Sequence, residues 1–267
     1  MTDVELISPA TPAAPPHEGE ALTVLSANLK NPYCSSLRVE RPALLARLEA
    51  FALLAEAERA DVLLCQEVGR GRDFRVDKWL SDHLGLAGVY ARANGRAAGL
   101  GREEGLAIFS RFPLREPRAT VLAGGLWRRM ALGVTARAPW GDVALYTTHH
   151  SLRPWRNRLE PGRLFKWVEA TAGECAAVIG GDLNASENAA QIAALASTWR
   201  DTFRIANPDE TGATHDVRLF GRVLARKRLD YLFLRPDSSK LRLVTCQVVD
   251  SSPPFSDHRA VLVRLAP

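Results

Sequence analysis

The chain has 267 residues, of which 46% are hydrophobic and 24% charged, and a formal net charge of +5. This balance excludes general disorder, and the length is enough to bury a large core. The positive excess is small for a chain this size, so it permits a polyanionic partner without requiring one.

Residues 1–20, with "SPATPAAPPHEGE", offer no periodic apolar face and read as a disordered leader, leaving 21–267 as a single domain. "ALTVLSANL" reads as a short buried strand, "RPALLARLEAFALLAEAERA" over 41–60 as a helix with Pro42 near its start, and "DVLLCQEV" as a second buried strand. "NGRAAGLG" over 94–101 lacks the Gly-Lys-Ser/Thr ending of a phosphate-binding loop and reads as a mobile loop. "GLAIFSRFPL", "MALGVTARA" and "DVALYTTHH" read as consecutive strands, followed by a helix near 159–172 and the strand "AAVIGGDLN". A helix over 187–198 precedes "RLDYLFLRP", "LRLVTCQVV" and "RAVLVRLA". Clustered strands with interspersed helices and no long linker predict one α/β domain built on packed sheets.

The four cysteines, Cys34, Cys65, Cys175 and Cys246, show neither C-x-x-C spacing nor metal-finger partners. Cys65 and Cys246 lie in apolar stretches that suit buried thiols, which points to a reducing compartment. With no secretory signal and no apolar run near ~18 residues, a cytoplasmic monomer without a membrane span is expected.

Several apolar strands end in a group able to bind metal or move protons. Asn28 ends "LTVLSAN", Glu67 ends "DVLLCQE", His149 ends "DVALYTTH", and Asp182 and Asn184 end "AAVIGGDLN". Asp230 interrupts "KRLDYLFL", and Asp257 and His258 precede "RAVLVRL". Each has a bland reading: turn residues, solvated strand ends, a bystander histidine such as His150, an Asx turn at "GGDLN", a structural salt bridge, or an N-cap at "SDH". All of these must hold independently for a shared site to be absent.

Asn28, "QE" at 66–67, "GLAIFSRFPL" at 105–114, "TH" at 148–149, "GDLN" at 181–184, "RLDY" at 228–231 and "SDH" at 256–258 resemble, in this order, the motifs of the endonuclease/exonuclease/phosphatase superfamily. That superfamily includes DNase I, abasic-site endonucleases, neutral sphingomyelinases and inositol polyphosphate phosphatases. The resemblance implies an α/β four-layered sandwich, two face-to-face mixed β-sheets flanked by helices. It also implies a divalent-metal-dependent phosphoester hydrolase using Mg²⁺, or Mn²⁺ in its place. Glu67 is the hard oxygen ligand, Asn28 positions that carboxylate, and Asp257 lies near the metal or the histidine, so Asn28, Glu67 and Asp257 form the expected metal set. The expected catalytic set is His149, Asp182, Asn184, Asp230 and His258, with the base role divided between Asp182 and His258 and with Asp230 orienting the His258 ring. In such a family the two glycines before Asp182 let the backbone turn tightly at the strand end.

The substrate is read from the segment "HHSLRPWRNRLEPGR", 149–163, where Arg153, Arg156, Arg158 and Arg163 surround Trp155. Arginines interleaved with an aromatic suit backbone phosphates and a stacked base, against the alternative of a solvated loop with its tryptophan packed on the core. "LWRRM" and "GRVLARKR" add further cations. The expectation is a nuclease. The alternatives are an inositol-phosphate or lipid phosphatase, a sphingomyelinase-like enzyme, or a noncatalytic binding scaffold. "ATHD" at 213–216, with His215 and Asp216 where many such nucleases carry an aromatic, departs from the pattern and puts abasic-site recognition in doubt.

Overall fold

The protein is described by a computed structural model covering residues 3–13, 21–31, 40–96, 101–125, 127–236 and 241–267. In chain order it runs β1 (Val4–Ile7), β2 (Leu22–Asn28), α1 (Arg41–Ala57), β3 (Val62–Gly71), α2 (Val76–Leu84), β4 (Ala87–Arg96), β5 (Arg102–Ser110) and β6 (Leu114–Ala123). There follow β7 (Arg129–Ala138), β8 (Gly141–His149), α3 (Pro154–Asn157), α4 (Glu160–Ala172), β9 (Ala176–Asp182), α5 (Ala190–Ala196), β10 (Arg200–Asp201) and α6 (Thr202–Ala206). The chain closes with β11 (His215–Leu219), β12 (Arg222–Lys227), β13 (Asp230–Leu234), β14 (Arg242–Val249) and β15 (Ala260–Ala266).

One sheet has the order β1-β4-β5-β3-β2-β15-β14, a second β10-β13-β9-β8-β7-β6, and β11 pairs with β12 alone. Both large sheets are mixed: β2 and β3 run parallel at the centre of the first, β8 and β9 at the centre of the second. The inner faces meet in one apolar layer, with Val24, Leu64 and Ile108 from the first sheet and Leu132, Leu145 and Val178 from the second. Helices α1 and α2 cover the outer face of the first sheet through Leu48, Phe51 and Leu80. Helices α4 and α5 cover the second through Leu164, Val168 and Ile192. This is the four-layered α/β sandwich expected. Strands covered on both faces need apolar residues on both, which is why β2 and β9 read as continuous apolar runs.

The expected disordered leader is corrected over part of its length. Residues 4–7 form edge strand β1, antiparallel to β4, with Ile7 buried and Leu6 exposed. Four residues held by backbone pairing leave almost no periodic signal. Residues 1–2 and 14–20 lie outside the described residues, as do Cys34 and residues 97–100 of the glycine-rich loop, of which 94–96 end β4. "GLAIFSRFPL" is two strands: the Ser110 hydroxyl accepts the Phe112 amide hydrogen, and Pro113 precedes β6. The helix expected over 187–198 is confined to α5. Within 149–163, 154–157 are helical and α4 begins at Glu160.

Candidate active site

Glu67 lies in a bulge. The register between β3 and β5 shifts between Cys65 and Val68, and Glu67 has φ 53°, the left-handed region that a residue with a Cβ rarely adopts. Such a conformation costs on the order of 1–3 kcal/mol and persists only where the surroundings hold it. Here the Asn28 amide donates to Glu67 Oε1 at 3.1 Å and the Asn31 backbone N–H to Oε2 at 3.0 Å. Gln66 is buried between the sheets, donating to Thr147 Oγ1 at 2.9 Å. The bulge thus frees Glu67 from the strand alternation and leaves Gln66 as a tie between sheets.

Asn28 donates a second hydrogen bond to Asp182 Oδ2 at 3.1 Å, while its Oδ1 accepts the Lys30 backbone N–H at 2.9 Å. Because a backbone N–H can only donate, the Asn28 oxygen is turned away from the carboxylates. Asn28 thus positions both carboxylates through its amide nitrogen.

His149, Asp182 and Asp230 occupy one rung of the second sheet, since Asp182 pairs with His149 on β8 and with Asp230 on β13. The glycines before Asp182 act by close approach instead of turning the chain. A Cβ on Gly181 would lie 2.2 Å from the Thr148 carbonyl oxygen, and one on Gly180 would lie 2.7 Å from Leu64 Cδ1. The turn comes later, at Asn184 with φ 48°, where the Asn184 N–H donates to Asp182 Oδ1 at 2.9 Å. The Asx turn and the shared site are therefore both realised by the same residues. The Asn184 amide donates to the His150 carbonyl at 3.0 Å and to Asp182 Oδ2 at 3.3 Å.

Asp182 Oδ2 thus faces four nitrogens: Asn28 Nδ2 and Asn184 Nδ2, His149 Nε2 at 3.6 Å and His258 Nε2 at 4.0 Å. Burial, and then repulsion from Asp230, raises the Asp182 carboxyl above the usual carboxylate range, against the pull of His258. For His258, burial opposes the charge, but Asp230 outweighs it: the carboxylate accepts from Nδ1 at 2.8 Å and pushes the imidazole up to about 10. Among the described residues, buried Asp230 Oδ1 has no hydrogen-bond partner.

His149 is held in the opposite state. The Arg129 guanidinium, which can only donate, lies 3.1 Å from His149 Nδ1, so Nδ1 accepts and the neutral ring carries its proton on Nε2, towards Asp182. Burial and the Arg129 charge hold the ring well below the usual histidine range. Glu104 completes the group, 4.0 Å from Arg129 and 3.9 Å from His149 Nδ1. From the sequence Arg129 was read only as one of the cations of "LWRRM", and Glu104 was missed. The available signal was Arg129 opening the strand whose next residue, Met130, pairs with His149. Replacing Arg129 with Met is expected to release the tautomer, and ¹⁵N shifts of the His149 ring in labelled protein should then show the Nδ1–H form appear.

Asp257 pairs with Lys30 Nζ at 2.9 Å and is half-exposed. Burial would raise its carboxyl, but Lys30 outweighs this and lowers it. Of the expected substrate residues, Trp155 is 65% exposed, which removes the reading of a core-packed tryptophan, and Arg153 and Arg158 are exposed. Arg156 is instead committed to the Gly124 carbonyl, and Arg163 to the Leu122 carbonyl, so these two brace the β6 end. His150 is fully buried, and His215 packs on the His258 ring at 4.6 Å with Nδ1 3.2 Å from the Asp257 carbonyl.

The family model for the endonuclease/exonuclease/phosphatase family matches residues 25–258. The chain belongs to that family. Among solved structures, a family member from Leptotrichia buccalis superposes with a TM-score of 0.75 at 18% identity, covering 92% of this chain and 100% of the other. A mannosyl-6-phosphatase from Bacteroides thetaiotaomicron gives 0.71 at 17%, with 92% and 100% covered. Truncated TDP2 from Caenorhabditis elegans gives 0.67 at 20%, with 92% and 98% covered. No curated protein sequence matches.

As a member of this family the chain is a phosphoester hydrolase, and its residues fit a hard divalent cation. Glu67 presents a carboxylate pre-oriented by the Asn28 amide and the Asn31 N–H, and the Asp182–Asp230 rung adds buried acid oxygens, of which Asp230 Oδ1 lacks a hydrogen-bond partner among the described residues. Glu67→Gln is expected to weaken Mn²⁺ binding by about tenfold or more in calorimetry, because an amide keeps the shape but loses the charge. Among the described residues, no helix is long and apolar enough to cross a membrane.

Proposed function

We propose that the protein is a Mg²⁺- or Mn²⁺-dependent nuclease that hydrolyses nucleic-acid phosphodiester bonds. The observation that carries this reading is the ring of four nitrogens around the Asp182 carboxylate, on one rung with Asp230. Glu67, with Asp257 as the second expected carboxylate, would hold a divalent cation, which would supply charge neutralisation at a phosphate oxygen. Asp182 takes the proton from the attacking water. Its raised pKa makes it the competent acceptor, whereas His258, kept protonated by Asp230, is a donor. His258 Nε2–H and the neutral His149 Nε2–H donate to the charge that develops on the phosphoryl oxygens, and Asn184 braces Asp182 for its task.

Nucleic acid is favoured as substrate by Arg153, Trp155 and Arg158, exposed on the segment that leaves the site after His149. The test is conversion of supercoiled plasmid to nicked circle by the purified protein with Mg²⁺ or Mn²⁺. Nicking that EDTA abolishes is expected. Turnover of a small phosphoester without any nicking would discard the nuclease reading and move the substrate to the phosphatases and lipid phosphodiesterases. Metal binding with no turnover of either kind would leave only the scaffold.

A further inference from the structure

Strands β11 and β12 form a hairpin that belongs to neither sheet and is rooted on the catalytic groups. At its base the Thr214 hydroxyl accepts the Leu229 and Asp230 backbone N–H groups at 3.0 and 3.2 Å, and its carbonyl accepts the Arg259 N–H at 2.7 Å. His215 bridges to His258 through the backbone and packs on its ring. From there the strands reach about 20 Å, at ~3.3 Å per residue, to a tight turn at Phe220 and Gly221, with φ 47° and 78°. Phe220 at the tip is 96% exposed, and Leu219 and Leu224 beside it are 51% and 63% exposed.

Exposed apolar side chains clustered in this way mark an interaction surface. Its charge is positive: Arg218, Arg222, Arg226 and Lys227 face a single acid, Asp216, which Arg259 also engages. The register separates two classes of partner. Arg222 pairs directly across from Leu219, and Arg218 from Val223. A cation therefore stands about 5 Å from Leu219 and another from Val223, at the same heights along the ribbon next to the tip. Entry into hydrocarbon would carry the guanidinium groups down with the leucines. A nucleic acid, whose bases and phosphates alternate on this scale, satisfies both together.

We infer that the 215–227 hairpin is a second nucleic-acid-binding arm, in which Phe220 stacks on or wedges between bases while Arg218 and Arg222 take the neighbouring phosphates; this rests on the nuclease reading. It grips the strand on the His258 side of the site, as Trp155 does on the His149 side. The test measures binding of the full chain to a fluorescein-labelled single-stranded oligonucleotide in EDTA, by anisotropy over a range of salt. Phe220→Ala is expected to weaken binding about tenfold. Arg222→Ala is expected to lower the slope of log K against log salt by about 0.7, the share of one phosphate on a single strand. The thermal midpoint of each variant reports that the fold is intact. Wild-type binding that neither substitution alters overturns the hairpin assignment and leaves the nuclease reading standing. A wild-type protein that binds phosphatidylserine vesicles more tightly than the oligonucleotide at the same salt overturns both.

Discussion

Asp182→Asn is expected to lower turnover by about 10³-fold, measured as the rate of metal-dependent plasmid nicking. The expectation follows from what Asp182 does twice over. Its Oδ1 holds the turn at Asn184, and its Oδ2, ringed by Asn28, Asn184, His149 and His258, is the proposed proton acceptor. An Asn keeps an oxygen able to accept the Asn184 N–H, so the turn survives. It cannot take a proton from water, and loss of general base catalysis costs ~10² to 10⁴ in rate. Removing the negative charge relieves the repulsion with Asp230, but it turns an amide NH2 towards the donors of Asn28, Asn184, His149 and His258, so the thermal midpoint of the variant is measured beside its rate. Nicking within threefold of wild type would show that Asp182 is not the base. His258→Gln separates the roles further. If His258 is a donor, Gln retains part of the activity; if it is the base, Gln is as damaging as Ala.

The second large effect is on stability. Arg228 was read as one of several cations in "GRVLARKR" available to a polyanion, and the fold corrects this: it is 4% exposed, forked onto Asp201 at 2.9 and 2.5 Å. It also lies 3.3 Å from Glu187, and its guanidinium carbon sits 4.5 Å from the Tyr231 ring centroid. Arg228→Met leaves Asp201 buried and uncompensated, which typically costs ~3–5 kcal/mol. At roughly 2–4 °C per kcal/mol for a chain of this size, the thermal midpoint should fall by on the order of 10 °C. The double variant Arg228→Met/Asp201→Leu should recover much of that loss, because it removes both charges together. A midpoint unchanged in the single variant would show the pair to be without net effect.

The strand-end groups were legible because buried central strands must be apolar on both faces, so a lone Asn, Glu, His or Asp at the end of each run stands out. Motif order carried the family for the same reason: strands, helices and their terminal polar groups are local features. The sequence by itself therefore determined the layered α/β class, the central strands with the helices now seen as α1 and α4, and most of the polar residues gathered at their ends. Other features were decided only when distant segments met. That Asn28 presents its amide and not its oxygen follows from where the Lys30 N–H falls. That Arg129 sets the His149 tautomer follows from β7 lying beside β8. Arg156 and Arg228 became braces while Arg153 and Arg158 stayed in solvent, although all four read alike as basic residues near an aromatic or a motif. Strand β1 and the β11–β12 hairpin were invisible because backbone pairing needs no side-chain period. Residue type and spacing encode what a segment can do. Register and burial, set by packing across the whole chain, decide which atom of each residue faces the site and which charges are already satisfied.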